Sequence, residues 1–223
     1  MTKGRTRLIL LEGIPGSGKT TTAEWVCKWL RDREVDADWS SEMTVEHPVI
    51  DRSVMKTSRI PGYGGRCVDR WRAFASKAAA NVSPAVHVLE GCLFQSTVRF
   101  LLEHDYPEDA PERYFVATEE VLSRLQPRII YLYQADPRAF MERQRIERKG
   151  HDTISKTAAY TETTKIAKRH GWKGAAGMIR FYLHYRNICD QLIDQSRFDV
   201  IRLDTSNNDW EALHVALDNW LSR

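Results

Sequence analysis

Short apolar runs recur along the chain, and each is followed by a stretch with helical spacing. Leu8–Leu11, Ala85–Leu89 and Arg128–Tyr133 are nearly unbroken hydrophobic segments, as strands buried on both faces require, and Phe198–Leu203 closes the series. Val35–Trp39 alternates weakly and predicts a second strand ending in Ser40-Ser41-Glu42. Helices are expected over Thr21–Leu30, Val68–Ala80, Leu93–Leu102 and Pro111–Leu125, the last opened by proline with Glu112 in its first turn. Asp136-Pro137 reads as an N-cap and a helix-starting proline. Further helices are expected over Thr153–Arg169, Lys173–Gln195 and Trp210–Leu221, the second with Met178, Phe181, Tyr182, Tyr185 and Ile188 as its core stripe. Strands separated by helices imply a largely parallel sheet covered on both faces and connected by right-handed crossovers.

Between the first apolar run and the first helix lies Gly13-Ile14-Pro15-Gly16-Ser17-Gly18-Lys19-Thr20, which fits the phosphate-binding pattern of Gly, four residues, Gly, Lys and a hydroxyl residue. Gly13, Gly16 and Gly18 allow a tight turn whose N–H groups, with those of Pro15's neighbours and Ser17, face an anion without a Cβ in the way. The opening helix adds the positive end of its dipole. Lys19 suits the β- and γ-phosphates, Thr20 suits the magnesium that bridges them, and Thr21 is placed for the α-phosphate. Strand, turn and helix stand in the required order, so the motif predicts a P-loop NTPase three-layer α/β/α sandwich that binds ATP with Mg2+.

Two further regions carry candidate chemistry. Glu90 ends the Ala85–Leu89 strand, and in open α/β sheets ligands bind outside the carboxyl ends of the strands, so Glu90 is expected to face the same crevice as the P-loop. Residues 43–84 form the expected substrate-side segment. Its part from Met43 to Cys67 has no clean period, contains Pro48, Pro61 and Gly62-Tyr63-Gly64-Gly65-Arg66, and reads as a mobile stretch; His47, Tyr63 and Arg66 in it are expected to have no special role. Residues 138–152 form the expected helical lid. At 100° per residue Arg138 and Arg145 fall on nearly one face, Arg148 about 60° away and Arg143 elsewhere. Arginine forks suit the charge that spreads over a transferring phosphoryl group, so Arg138 and Arg143 are assigned to the nucleotide and Arg145 and Arg148 to the transfer.

Composition narrows the classes. The 223 residues suit one P-loop kinase-like domain, and 42% hydrophobic with 28% charged residues suits a soluble fold. A net charge of +3 is too small to call for a nucleic-acid partner. Arg5 and Arg7 flank only a four-residue apolar run, which suits neither a signal peptide nor a membrane span, so a cytoplasmic protein is expected. Cys27, Cys67, Cys92 and Cys189 lack any zinc or disulfide spacing and read as buried hydrophobes. A homodimer is left open.

The stretch from Leu11-Glu12-Gly13 to Thr22, Leu89-Glu90-Gly91, Arg128 to Pro137 with the arginines after it, and the last strand with Asp204-Thr205-Ser206 together resemble the thymidylate kinase and deoxynucleoside kinase group. The resemblance implies transfer of the γ-phosphoryl of Mg-ATP to a hydroxyl or phosphate of a small molecule, with an acidic residue near the second or third strand as base or magnesium partner and lid arginines over the phosphates. In that group arginine follows the acidic residue that Glu90 matches; here Gly91 follows. The Glu-Pro of the deoxynucleoside kinases has Glu42 and Glu46-His47-Pro48-Val49 as its counterparts here, so Glu42 and Glu90 both stand as candidate bases. Two other readings share the motif: a nucleotide-driven ATPase or regulator acting on a macromolecule, and an O-phosphotransferase that modifies an antibiotic. The common switch signatures of the first, Asn-Lys-x-Asp and Asp-x-x-Gly, are absent from the sequence.

Overall fold

The computed structural model describes residues 6–80, 84–147 and 153–223, with only the backbone course described for 144–147, 153 and 154. Five strands, β1 (Leu8–Gly13), β2 (Ala37–Ser40), β3 (Val86–Glu90), β4 (Arg128–Tyr133) and β5 (Asp199–Asp204), form one sheet in the order β2-β3-β1-β4-β5. All neighbouring pairs are parallel. The helices are α1 (Lys19–Arg31), α2 (Arg52–Met55), α3 (Tyr63–Ala80), α4 (Arg99–Glu103), α5 (Ala110–Leu122), α6 (Pro137–Glu147), α7 (Thr153–Thr163), α8 (Lys165–His170), α9 (Gly174–Asp194) and α10 (Trp210–Leu221). This is the α/β sheet, flanked by helices, of a P-loop NTPase.

The two-residue period of the strands sorts side chains between two cores. Leu8 and Leu10 of β1 join Leu89, Ile129 and Tyr131 against α3, α5 and α9. Ile9 and Leu11 join Val86, Val88, Ile130 and Leu132 against α1 and α10. The same parity decides where the two carboxylates at the strand ends point. Glu12 follows Leu8 and Leu10 toward α9, whereas Glu90 follows Val86 and Val88 toward α1. Central β1 is buried along its whole length, which is why its outer residues carry no polar face.

Several segments depart from the expected pattern. The stretch from Met43 to Cys67 is not irregular throughout: it contains α2 and the start of α3, with Gly64, Gly65 and Arg66 inside the helix. Arg66 holds that turn, donating to the carbonyls of Thr57, Ile60 and Pro61 and to Thr57 Oγ1. The helix expected over Leu93–Leu102 opens as a π-helical turn, Phe94–Val98, before α4. Its first groups are already engaged, because Leu93 N–H donates to Glu12 and Cys92 O accepts from Ser96 Oγ at 2.5 Å. The helix expected over Thr153–Arg169 is two, α7 and α8. Thr164 is extended (φ −68°, ψ 153°) and caps α8 by accepting from Ala167 N. The predicted cap at Asp136 is present, with Oδ1 accepting from Ala139 N at 2.9 Å. All four cysteines are buried free thiols. Among the described residues no helix is long and apolar enough to cross a membrane.

Candidate active site

The P-loop joins the end of β1 to α1 by the turn its glycines permit. Gly16 and Gly18 lie at φ 86° and 93°, in the left-handed region open to glycine. At Gly13 a Cβ would come within 2.3 Å of Leu132 O on the neighbouring strand, so only glycine fits there. Ser17 N–H closes the turn on Ile14 O at 3.2 Å. Gly18 begins α1 with no side-chain cap, which leaves the first helical N–H groups facing outward. Thr20 and Thr21 are exposed at that helix start, and Pro15 is half-buried. Trp210, at the start of α10, lies against the loop: a Cβ at Gly18 would meet its ring at 2.3 Å. The β4 and β5 exits are tied to each other beside it, through Gln134 Nε2 to Thr205 Oγ1 at 2.6 Å and Ala135 N to Ser206 Oγ at 2.8 Å.

Lys19 is buried, and its Nζ donates to Gly13 O at 3.1 Å and Ile14 O at 3.2 Å. Burial pushes its pKa down, against the pull of Glu12, Glu42 and Glu90 around it. Those three carboxylates reach the lysine from different elements. Glu90 Oε1 accepts from Thr20 Oγ1 at 2.7 Å, and its Oε2 is buried with no hydrogen-bond partner. Desolvation raises the Glu90 pKa, with the Thr20 hydrogen bond and Lys19 opposing. Glu42, half-buried in the loop after β2, rests on Gly91: a Cβ there would lie 3.2 Å from Glu42 Oε2 and 3.6 Å from Lys19 Cε. Gly91 also has φ 65°. A side chain at residue 91 would therefore be strained and would crowd the carboxylate.

Glu12 was not among the expected site residues. It is completely buried, one residue before the P-loop, with Oε1 accepting from Leu93 N at 2.6 Å and Oε2 without a partner. Burial raises its pKa to about 8, the Leu93 N–H and the Lys19 charge opposing. The signal was present in the strand parity, since residue 12 shares the face of Leu8 and Leu10 and a carboxylate there cannot reach bulk water. His47 is buried rather than a free loop side chain. Its Nδ1 accepts from Val49 N at 3.0 Å and Ile50 N at 2.8 Å, so Nε2 carries the proton, and burial lowers its pKa to about 4. Tyr63 is likewise buried, donating to Ser96 O at 2.9 Å.

Thus Gly13 to Thr21, Glu42 and Glu90 are brought to one place. Arg138 and Arg143 are exposed on α6 and make no hydrogen bond to the P-loop. The Arg145 side chain and all of Arg148, with the rest of the expected lid to residue 152, lie outside the described residues, as do residues 81–83 of the expected substrate-side segment. A depression of about 1350 Å³, lined by Ile9, Trp29, Arg128 and Asp199 among others, lies at the amino ends of the strands, away from this site. No group of three or more His, Cys, Asp or Glu suited to hold a metal ion occurs among the described residues. A magnesium ion that keeps most of its ligands as water and phosphate does not need one. The Thr20 hydroxyl, the orphaned Glu90 oxygen and the uncapped α1 fit that ion and a bound polyphosphate.

The arrangement defines a P-loop NTPase fold with its phosphate cradle at the carboxyl edge of the sheet. Over 99% of its length the chain matches the whole of thymidylate kinase from Ehrlichia chaffeensis, at a TM-score of 0.52 and 10% identity, a likeness that shows the fold. Deoxyadenosine kinase from M. mycoides with bound dATP is matched at a TM-score of 0.47 and 14% identity, over 96% of this chain and 98% of that one. No protein-family model and no curated protein matches the sequence.

Proposed function

We propose that the chain is an ATP-dependent phosphotransferase that moves the γ-phosphoryl group of Mg-ATP to a small molecule, acting as one kinase-like domain. The observation that carries this reading is Glu42 lying on Gly91 beside Lys19 while making no bond to Thr20. A carboxylate so placed is a base for an acceptor and is separate from Glu90, the carboxylate on the magnesium side.

In this reading the P-loop N–H groups and Lys19 hold the triphosphate, with Thr20 and Glu90 beside the ion. A magnesium ion held there would supply neutralisation of the phosphate charge. Glu42 orients the acceptor hydroxyl and takes its proton as the oxygen bonds to the γ-phosphorus and the bond to the β-phosphate oxygen breaks. Lys19 stabilises the charge that moves onto ADP. Most of the rate comes from positioning and preorganised charge. Residues 43–84 supply the acceptor side and residues 138–152 the lid, whose arginines cover the phosphates. The similarity in fold to a thymidylate kinase supports a kinase over a partner-driven ATPase.

The test is ADP release from Mg-ATP by the purified protein across nucleosides, nucleotides, antibiotics and other hydroxylated metabolites, with Lys19→Ala as the blank. Stimulation by one chemical class is expected. Lys19-dependent release that responds only to added macromolecules would replace this reading with the ATPase one.

A further inference from the structure

Glu12 takes no part in the proposed transfer, yet it is completely buried and its Oε2 has no hydrogen-bond partner. An apolar side chain would fill that place in the core without the cost of taking a carboxyl group out of water. What the carboxyl group provides is a bond across the site. Its Oε1 accepts from Leu93 N, just ahead of the π-helical turn Phe94–Val98, at 2.6 Å. Two residues earlier Gly91 N donates to Leu11 O at 2.9 Å. Residues 91–93 are thereby fastened twice to the end of β1, immediately before the P-loop. The fastened segment carries Gly91, against which Glu42 Oε2 and Lys19 Cε both lie. The far side of the same turn is held by α5 and α3. Leu93 O accepts from Tyr114 of α5 at 3.0 Å, and the Tyr114 hydroxyl accepts from Trp71 of α3 at 2.8 Å. Ser96 O accepts from Tyr63, also of α3, at 2.9 Å. All three rings are buried. A chain of hydrogen bonds therefore runs from α3 and α5 through Leu93 to Glu12, and Glu12 is the side chain by which it reaches the P-loop strand.

Resting on the phosphotransferase reading, we propose that Glu12 is a positioning residue that couples the P-loop to the acceptor side. Through Leu93 it sets Gly91, Glu42 and the π-helical turn in register with Lys19, so that filling the P-loop steadies all of them. Lys19 Nζ donates to Gly13 O and Ile14 O, and a triphosphate competes for that amine. Gly13 follows Glu12 directly, so a change in the loop reaches the Leu93 bond within one residue. A bound nucleotide stabilises the loop, and a segment that opens only by breaking bonds to the loop's strand is stabilised with it.

Amide hydrogen exchange over residues 93–98, with Mg-ADP as the probe, tests this. In the wild type, saturating Mg-ADP is expected to slow exchange there by roughly tenfold or more. Glu12→Gln keeps an oxygen for Leu93 N and is expected to keep the slowing. Glu12→Met, of similar length but without an acceptor, is expected to lose it while still binding Mg-ADP. In ADP release with nucleosides, nucleotides and other hydroxylated metabolites, Glu12→Met should lower kcat for the responding compound by about tenfold or more with little change in the KM for ATP, and Glu12→Gln should restore it. Wild-type exchange that Mg-ADP leaves unchanged overturns the inference, whether or not Glu12→Met folds, and leaves the kinase reading intact. Slowing that persists in Glu12→Met overturns it as well. Slowing that depends on residue 12, in a protein whose ADP release no compound stimulates, supports the coupling and removes the phosphotransferase reading.

Discussion

Thr20 of α1 and Glu90 of β3 meet across the mouth of the P-loop, the threonine hydroxyl donating to Oε1 at 2.7 Å. In the proposed reading this bond places Glu90 on the magnesium side and assigns the acceptor to Glu42, which makes no bond to Thr20. The two acidic candidates thus separate by position although they share a neighbour in Lys19.

That separation predicts different kinetic signatures. Glu42→Gln should lower turnover by roughly 100-fold with little change in nucleotide affinity, the size expected when a general base is lost. Glu90→Gln should instead raise the magnesium concentration needed for half-maximal turnover. Magnesium titrations of both variants decide it, and a shift in magnesium requirement with Glu42→Gln would reverse the roles.

Glu12 predicts a pH effect on stability. Its folded-state pKa of about 8 lies above the ordinary carboxylate value of 4.5 because burial disfavours the charge. Between those values the folded chain holds a proton that the unfolded chain has released, so the contribution of Glu12 is fully present below the unfolded value and falls as pH rises toward 8. Glu12→Gln cannot ionise and should escape this loss. Its stability relative to wild type should therefore rise by up to about 1.4 kcal/mol per pH unit between pH 5 and 8. Urea unfolding at pH 5.5 and 8 measures it, and an unchanged difference would show that Glu12 titrates normally.

At Gly91 the left-handed backbone and the nearby Glu42 oxygen act together. Gly91→Ala should cost about 1 kcal/mol or more in stability, because the residue must hold a positive φ. It should also lower turnover by displacing Glu42. A variant with wild-type turnover and melting temperature would mean that neither the strain nor the contact matters.

The position of Trp210 on Gly18 predicts a spectroscopic change. Filling the P-loop should alter tryptophan emission in the wild type, and Trp210→Phe should remove most of that response while retaining nucleotide affinity within about threefold, since an apolar ring still covers the glycine. An undiminished response in Trp210→Phe would assign it to another tryptophan.

Much of the fold was legible because central parallel strands must be apolar on both faces, so β1 and β4 stand out as runs and the P-loop marks the strand before it. Glu90 was legible as a carboxylate at a strand's carboxyl end. Glu12 was not, because a single acid after four apolar residues reads as the end of a strand, and only the parity of β1 shows that it points inward to Leu93. The π-helical turn was hidden for a related reason: Leu93 N–H is engaged by a residue 81 positions away. The break between α7 and α8 turns on the backbone of Thr164, a residue whose side chain suits a cap or a helix interior alike. Tyr63 and His47 looked like loop residues because the glycines and prolines around them mask the burial that distant contacts impose.

The fate of the terminal phosphate of ATP tests the central claim most directly. With γ-labelled Mg-ATP and a fractionated pool of small hydroxylated compounds, label should appear in a new organic phosphate, in an amount equal to the ADP formed and absent with Lys19→Ala. Label recovered only as inorganic phosphate, whatever compound is added, would contradict phosphoryl transfer to a small molecule.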